Sequence, residues 1–138
     1  SKKMSKSELS DLSRINLTDT KDEIINKIKK AKTDPLPLPS NIKELEKRPE
    51  ARNLIGIYSS LSGLTQEETI KKFAEKNFSE FKDNLSQLIV DKIEPISIEI
   101  KKLLNEKSYL DKILLDGSKK ANFQASDKVK KIHEIIGF

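Results

Sequence analysis

The residues of this chain best suited to chemistry stand together at its start, in Lys3-Met4-Ser5-Lys6-Ser7. Two ammonium groups three residues apart, separated by small hydroxyl side chains, suit a phosphate-bearing ligand. Serines leave room for backbone N–H groups to approach phosphate oxygens. A solvated basic tail is the plainer reading of the same residues, because the chain is rich in both Lys and Ser. Further candidates lie downstream. Lys119, Lys120, Lys128, Lys130 and Lys131 gather late in the sequence, where Asp116 and Asp127 dilute them. Lysines of this kind set affinity for a nucleic-acid backbone without reading bases. Asn53 carries an amide able to read a base edge, and Lys82 follows the aromatic Phe81. Phe73, Phe78, Phe81, Tyr109 and Phe123 could stack on unpaired bases, although most are expected in a core.

Composition removes other chemistries. The 138 residues contain no cysteine and one histidine, His133. A disulfide, a thiolate zinc site and a cysteine nucleophile are therefore impossible, and a catalytic triad or multi-histidine metal site is not expected. His133, between Ile132 and Glu134, reads as an ordinary helix residue. No apolar run approaches the roughly 20 residues that span a bilayer, and the Lys- and Ser-rich start does not resemble a secretory signal. A reducing cytoplasm fits. The net charge of +5 permits an RNA partner without requiring one. Only Arg14, Arg48 and Arg52 among the 27 basic residues are arginine, a lysine bias that also suits an AT-rich genome.

The elements that must position these residues are helical. Residues 1 to 14 read as a flexible loop, and Ile15-Asn16-Leu17 as a short extended piece. Thr20 with Glu23 makes a capping box, followed by an apolar stripe of Ile24, Ile25, Ile28 and Ala31. That helix should stop near Thr33, because Pro35, Pro37 and Pro39 cannot continue it. The proline-punctuated connection over 34 to 48 has room for one helical turn around Ile42 and Leu45. Pro49 suits the first turn of the next helix, and Gly63 its left-handed stop. Thr65 with Glu68 makes a second capping box. A long helical stretch is predicted from about Ser79 to Glu106, kinked at Pro95. Another runs from about Ser108 to Ile136, bent or broken at Gly117 and ended by Gly137. No segment alternates as a strand would, so the expected class is all-α, a helical bundle.

Lys3 to Ser7 spell KMSKS, which resembles the second signature of class I aminoacyl-tRNA synthetases. The following residues resemble the tryptophan-specific branch of that family. Ile15-Asn16-Leu17-Thr18-Asp19 is similar to its post-loop segment, and Lys27-Ile28, Ala31 and Thr33-Asp34 to its first helix and that helix's end. Arg48-Pro49-Glu50, Asn53-Leu54 and Ile57-Tyr58-Ser59 resemble the next helix. Phe81-Lys82, Leu85 and Pro95-Ile96 resemble the long helix; Gly117, Lys120-Ala121, Ala125 and Gly137-Phe138 resemble the last. The order and spacing of these pieces separate the tryptophan branch from its tyrosine-specific relatives. One departure is local: the family commonly has Tyr-Gly before the Phe-Lys pair, where this chain has Phe78-Ser79-Glu80. The larger one is that the nucleotide-binding domain with the HIGH-like first signature is expected before residue 1.

The resemblance implies a ligase that activates tryptophan with ATP and transfers it to tRNA. Residues 1 to 18 would be the KMSKS loop and the connection to a nucleotide-binding domain, and residues 19 to 138 the helical anticodon-binding domain. Lys3 and Lys6 would be catalytic. Lys3, Met4, Ser5, Lys6 and Ser7 would bind ATP, in a mobile loop that closes during activation. Asn53, Lys82, Lys119, Lys120, Lys128 and Lys131 are the candidate tRNA contacts. Magnesium would accompany ATP in the complete enzyme, with no protein metal site and no cofactor bound to this fragment. The expected partners are tryptophan-specific tRNA, tryptophan and ATP, without a membrane. The complete enzyme is expected to be a homodimer, the fragment a monomer and inactive by itself. A free-standing helical RNA-binding or protein-interaction module with a basic tail is the rival reading. An open reading frame that continues upstream into a nucleotide-binding domain would decide for the ligase.

Overall fold

The computed structural model describes residues 10–74 and 76–137. They form a short 3-10 turn (Asp11–Ser13) and six α-helices: α1 (Lys21–Lys30), α2 (Ile42–Glu46), α3 (Pro49–Ser62), α4 (Gln66–Phe73), α5 (Phe78–Asn105) and α6 (Lys107–Ile136). Among the described residues there is no strand. The chain divides into two compact units, the first ending at Ile98 and the second beginning at Glu99.

The helix starts follow from local chemistry. Thr20 and Thr65 each accept a hydrogen bond from the backbone N–H of the third helical residue, and Glu23 and Glu68 accept one from the cap's own N–H. Both capping boxes are thus complete. Asn41 caps α2 by accepting from the Glu44 N–H at 2.9 Å. Pro49 opens α3, where its missing N–H costs nothing. At the start of α5, Asn77 Oδ1 accepts from the Glu80 N–H at 2.9 Å. An asparagine cap therefore opens the helix whose family pattern carries a glycine. Gly63 ends α3 at φ 76° and Gly137 ends α6 at φ 82°, left-handed conformations that suit glycine.

The first unit is built on apolar faces at three- and four-residue spacing. Ile24 and Ile28 of α1, Leu45 of α2, Ala51, Leu54, Ile55 and Tyr58 of α3, and Ile70 and Phe73 of α4 meet Phe78, Phe81, Leu85, Ile89 and Val90 of α5. Three rings fill the centre. Phe73 lies 4.9 Å from both Tyr58 and Phe81, edge-on to each, an arrangement aromatic quadrupoles favour. The one buried hydroxyl pair, Ser59 with Thr69, is satisfied internally at 2.9 Å.

The proline segment is ordered by a single side chain. The Arg48 guanidinium, 9% exposed, donates from Nε and Nη2 to both oxygens of Asp34, at 2.9 and 2.5 Å. Its remaining donors reach the carbonyls of Leu36 (3.3 Å) and Pro37 (2.7 Å) and the Glu44 carboxylate (3.2 Å). All five N–H groups are used. The Phe78 ring lies beneath, 5.6 Å from the guanidinium carbon. Leu38 and Pro39 can then enter the core, and the Leu38 N–H bonds to the Lys76 carbonyl at 3.1 Å.

Several expectations are refined. α1 ends at Lys30 rather than near Thr33. A 3-10 turn forms at Asp11–Ser13, within the predicted loop, and the turn predicted around Ile42 and Leu45 is α2. α5 continues through Pro95, which stands on an exposed side. α6 is continuous through Gly117, and none of its residues is buried. Large apolar residues of α6, Ile113, Leu114, Val129, Ile132 and Ile136 among them, are exposed in the second unit.

Arg48→Ala should lower stability by about 3–5 kcal/mol, because it leaves two carbonyls without partners and Asp34 with only the Leu36 N–H in place of its cation. Arg48→Lys should recover little of this, since an ammonium cannot reproduce the two-pronged contact. Urea unfolding of the three proteins, followed by circular dichroism, measures both effects.

Candidate functional site

The KMSKS residues Lys3, Met4, Ser5, Lys6 and Ser7 lie outside the described residues. The described residues begin at Ser10 and show how the stretch that follows the motif is fastened to the helical body. Lys27 on α1 points inward, with its side chain 8% exposed. Its ammonium donates to Asp11 at 2.5 Å and to Asp19 at 2.6 Å. Asn16 completes the arrangement. Its amide donates to both oxygens of Asp11 at 3.1 Å and to Asp19 Oδ1 at 3.2 Å, and its backbone N–H donates to Asp19 Oδ2 at 2.8 Å. Arg14 Nε pairs with Asp11 at 2.8 Å. Residues 11 to 19 are therefore folded back on themselves and fixed to α1 by one cation.

The electrostatics follow from that geometry. Hydrogen bonds from Lys27 and Asn16 hold the Asp11 carboxyl below the usual carboxylate value. For Asp19, burial pushes upward, but hydrogen bonds from Lys27 and Asn16 outweigh it and the net shift is downward. Burial likewise opposes the charged form of Lys27, and its two carboxylates reverse the effect and raise it. Each group thus favours its charged form.

The candidate RNA contacts fall into three places. Asn53 is on the outer side of α3, exposed, and lines an open groove of about 970 Å³ with Arg52, Gly56, Ser60 and Gln66. Lys82 is committed elsewhere. Its ammonium donates to the carbonyls of Ala31 (2.6 Å) and Lys29 (3.2 Å), the unsatisfied C-terminal groups of α1. Burial lowers its pKa. Lys119, Lys120, Lys128 and Lys131 are all exposed along α6. At 100° per residue Lys120 and Lys131 stand about 20° apart, with Lys128 about 60° to one side and Lys119 about 100° to the other. They cover roughly 18 Å of helix length.

Of the candidate stacking rings, Phe73, Phe78 and Phe81 belong to the core, whereas Tyr109 and Phe123 are exposed. No group of three or more potential metal-binding side chains occurs among the described residues, and no described helix is long and apolar enough to cross a membrane. Sequence reasoning missed the Lys27 cluster. The signal available was a lysine one turn after Glu23 on the apolar side of α1, between Ile24 and Ile28, where a charge requires a buried partner.

Comparison with known proteins bears on residues 1–92, which match the family model for tRNA synthetases class I (W and Y). Among curated relatives, the tryptophan–tRNA ligase of Mesorhizobium japonicum is 48% identical over 137 residues, which is 99% of this chain and 39% of the relative. That of Caulobacter vibrioides is 46% identical over 138 residues, all of this chain and 40% of the relative. That of Rickettsia conorii is 47% identical over 137 residues, 99% of this chain and 41% of the relative. The chain spans about two-fifths of the length of the curated relatives it matches.

The downward shifts of Asp11 and Asp19 give a signed pH dependence. Carboxylates with depressed folded values contribute stability that is fully present above the unfolded value of about 4 and is lost as pH falls through the lower folded value. In Lys27→Met, burial of Asp19 acts with much less opposition. The stability these carboxylates contribute above about pH 5 is therefore smaller in Lys27→Met, and its loss on acidification is shallower. Melting temperatures measured between about pH 3 and pH 7 should show the two profiles furthest apart near neutral pH and closing on the acid side.

Proposed function

This chain belongs to the family of class I tRNA synthetases for W and Y, and on that footing we propose that it is part of a tryptophan–tRNA ligase. The observation that carries the reading is the KMSKS motif at Lys3–Ser7, set in a sequence 48% identical to such a ligase over 137 residues.

In the proposed reaction, a carboxylate oxygen of tryptophan attacks the α-phosphorus of ATP. The bond from that phosphorus to the bridging oxygen breaks, and pyrophosphate leaves with the electron pair. Negative charge accumulates on the departing group. Lys3 and Lys6 act there, where positive charge stabilises the transition state more than the ground state. Ser5 and Ser7 keep the backbone accessible to phosphate oxygens, and Met4 lines the adenine side. Magnesium enters with the nucleotide phosphates. The tryptophanyl group then passes from the adenylate to a hydroxyl of the tRNA 3′ end, releasing AMP.

The helical body is the tRNA-docking part in this reading. Asn53, exposed in its groove on α3, meets a base edge in this proposal, and the exposed Lys119, Lys120, Lys128 and Lys131 of α6 meet phosphates. Lys82 contributes indirectly, through the α1 terminus it caps. Tryptophan and ATP are bound largely by the portion that the longer relatives carry in addition, and the complete enzyme works as a homodimer in the cytoplasm.

Two measurements test the reading. In the full-length protein, Lys6→Ala should slow tryptophan-dependent exchange of pyrophosphate into ATP by roughly 10²–10³-fold, the scale for loss of one preorganised charge. The affinity for tryptophan should change little, and Lys6→Arg should not fully restore the rate. An effect confined to the Michaelis constant for ATP would mean uniform binding instead. The isolated 138-residue chain should show no such exchange, and exchange by the pure fragment would contradict the proposed division of labour.

A further inference from the structure

We propose that the groove on α3 seats one unpaired base of the tRNA, with Gly56 as its floor, the Arg52 guanidinium stacked on the base and the Asn53 and Gln66 amides at its edge; this rests on the ligase reading above.

Gly56 is a residue that the fold does not account for. It lies in the interior of α3, where glycine is the least favoured residue after proline. Two structural reasons could require it: a left-handed backbone, or a neighbour too close for a side chain. Neither holds. Gly63 and Gly137 are the described glycines with positive φ. Apart from the backbone of its own helix, a methyl group on Gly56 would meet only the Gln66 side-chain nitrogen, at an ordinary contact distance of 3.7 Å. What the missing side chain leaves is open space in the groove of about 970 Å³ that Gly56 lines. At 100° per residue Gly56 stands about one turn beyond Arg52 and Asn53, about 40° around the helix from the first and about 60° from the second. Gln66 faces it from the start of α4.

The lining indicates the ligand. No carboxylate lines the groove, so it does not suit a cation, and the charge of Arg52 complements a polyanion. Half-buried Ile57, Leu61 and Leu64 give it an apolar wall. Its other polar groups include two amides, which pair with base edges, and a planar guanidinium stacks on base faces. These groups are not committed elsewhere. Arg14 is tied to Asp11, and Arg48 to Asp34 and Glu44. Arg52, Asn53 and Gln66 make no side-chain hydrogen bond or ion pair among the described residues. Of 27 basic residues only three are arginine, and one of them stands here, where lysine would have supplied the charge but not the plane.

The test measures binding of a tryptophan-accepting tRNA transcript to the full-length protein, with melting temperature in parallel. Gly56→Ala should weaken binding by about tenfold, the scale of one misplaced methylene in a fitted site. Its melting temperature should hold or rise, because alanine is the better helix former. Arg52→Ala should weaken binding by about tenfold, and Arg52→Lys should recover little, since an ammonium has no face to stack. Transcripts with an abasic nucleotide at successive single-stranded positions then locate the base. At one position the abasic transcript should bind the unaltered protein about tenfold more weakly, with no such loss in Arg52→Ala. Four results each overturn the proposal and leave the ligase reading standing: unchanged binding by Gly56→Ala, a lowered melting temperature in that variant, full rescue by Arg52→Lys, or abasic losses that are the same in Arg52→Ala as in the unaltered protein at every position. A full-length protein that transfers no tryptophan to this tRNA overturns both.

Discussion

The guanidinium of Arg48 is the interaction on which the first unit of this protein depends. Pro35, Pro37 and Pro39 remove three backbone donors from the connection between α1 and α2, so that segment cannot satisfy itself as a helix or a strand. Its carbonyls still need partners when Leu38 and Pro39 are drawn into the core. Arg48 supplies them from a single planar group. It takes the Leu36 and Pro37 carbonyls, neutralises itself against Asp34 and Glu44, and rests on the Phe78 ring. A lysine could carry the charge but not the fork. With the segment held, the Leu38 N–H reaches Lys76, and the connection is closed against the start of α5.

Lys27 and Lys82 repeat this principle at two other junctions. Lys27 ties the stretch over 11 to 19 to α1, and Lys82 on α5 takes the free carbonyls at the end of the same helix. α1 is therefore held by a cation of its own in its last turn and by a neighbour's cation at its end, where the helix dipole favours positive charge. In each case a charge is withdrawn from water, and its partners are irregular backbone or carboxylates that a purely apolar core could not have placed. Buried ionic groups of this type contribute more to a unique geometry than to net stability. For a body proposed to carry a catalytic loop at one end and RNA along its surface, a unique geometry is the relevant property. The same arrangement changes the meaning of the net positive charge. Arg48 and Lys27 are buried and Lys82 is half-buried with its ammonium committed to α1, so the charge offered to a polyanion comes from the remaining exposed basic residues, the lysines of α6 among them.

The local signals in the sequence translated directly into structure. Thr20 with Glu23, Thr65 with Glu68, Pro49, Gly63 and Gly137 each act within one helical turn, and each stands where its chemistry requires. The helical class and the apolar stripe of α1 were legible for the same reason, since the spacing of Ile24, Ile25, Ile28 and Ala31 is a property of a few consecutive residues. The KMSKS motif was legible as a string of residues, and the family followed from it and from the ordered matches behind it. Lys82 was legible only as a basic residue beside an aromatic one. Its partners lie more than 50 residues earlier, and no local pattern announces them.

By itself, then, the sequence determined where helices start and stop, which faces are apolar, and which family the chain resembles. Capping, proline geometry and periodicity are short-range, and a motif needs no fold to be read. The tertiary structure decided which charges are interior and what they hold: Arg48 the proline segment, Lys27 the stretch behind the KMSKS motif, Lys82 the end of α1. It also separated Phe73, Phe78 and Phe81, which are core, from Tyr109 and Phe123, which are exposed. Periodicity identifies an apolar face without naming what covers it: α1 buries Ile24 and Ile28, whereas α6 buries none of its residues. A pairing energy depends on distance and desolvation, and for residues far apart in the chain both quantities exist only once the fold has brought them together.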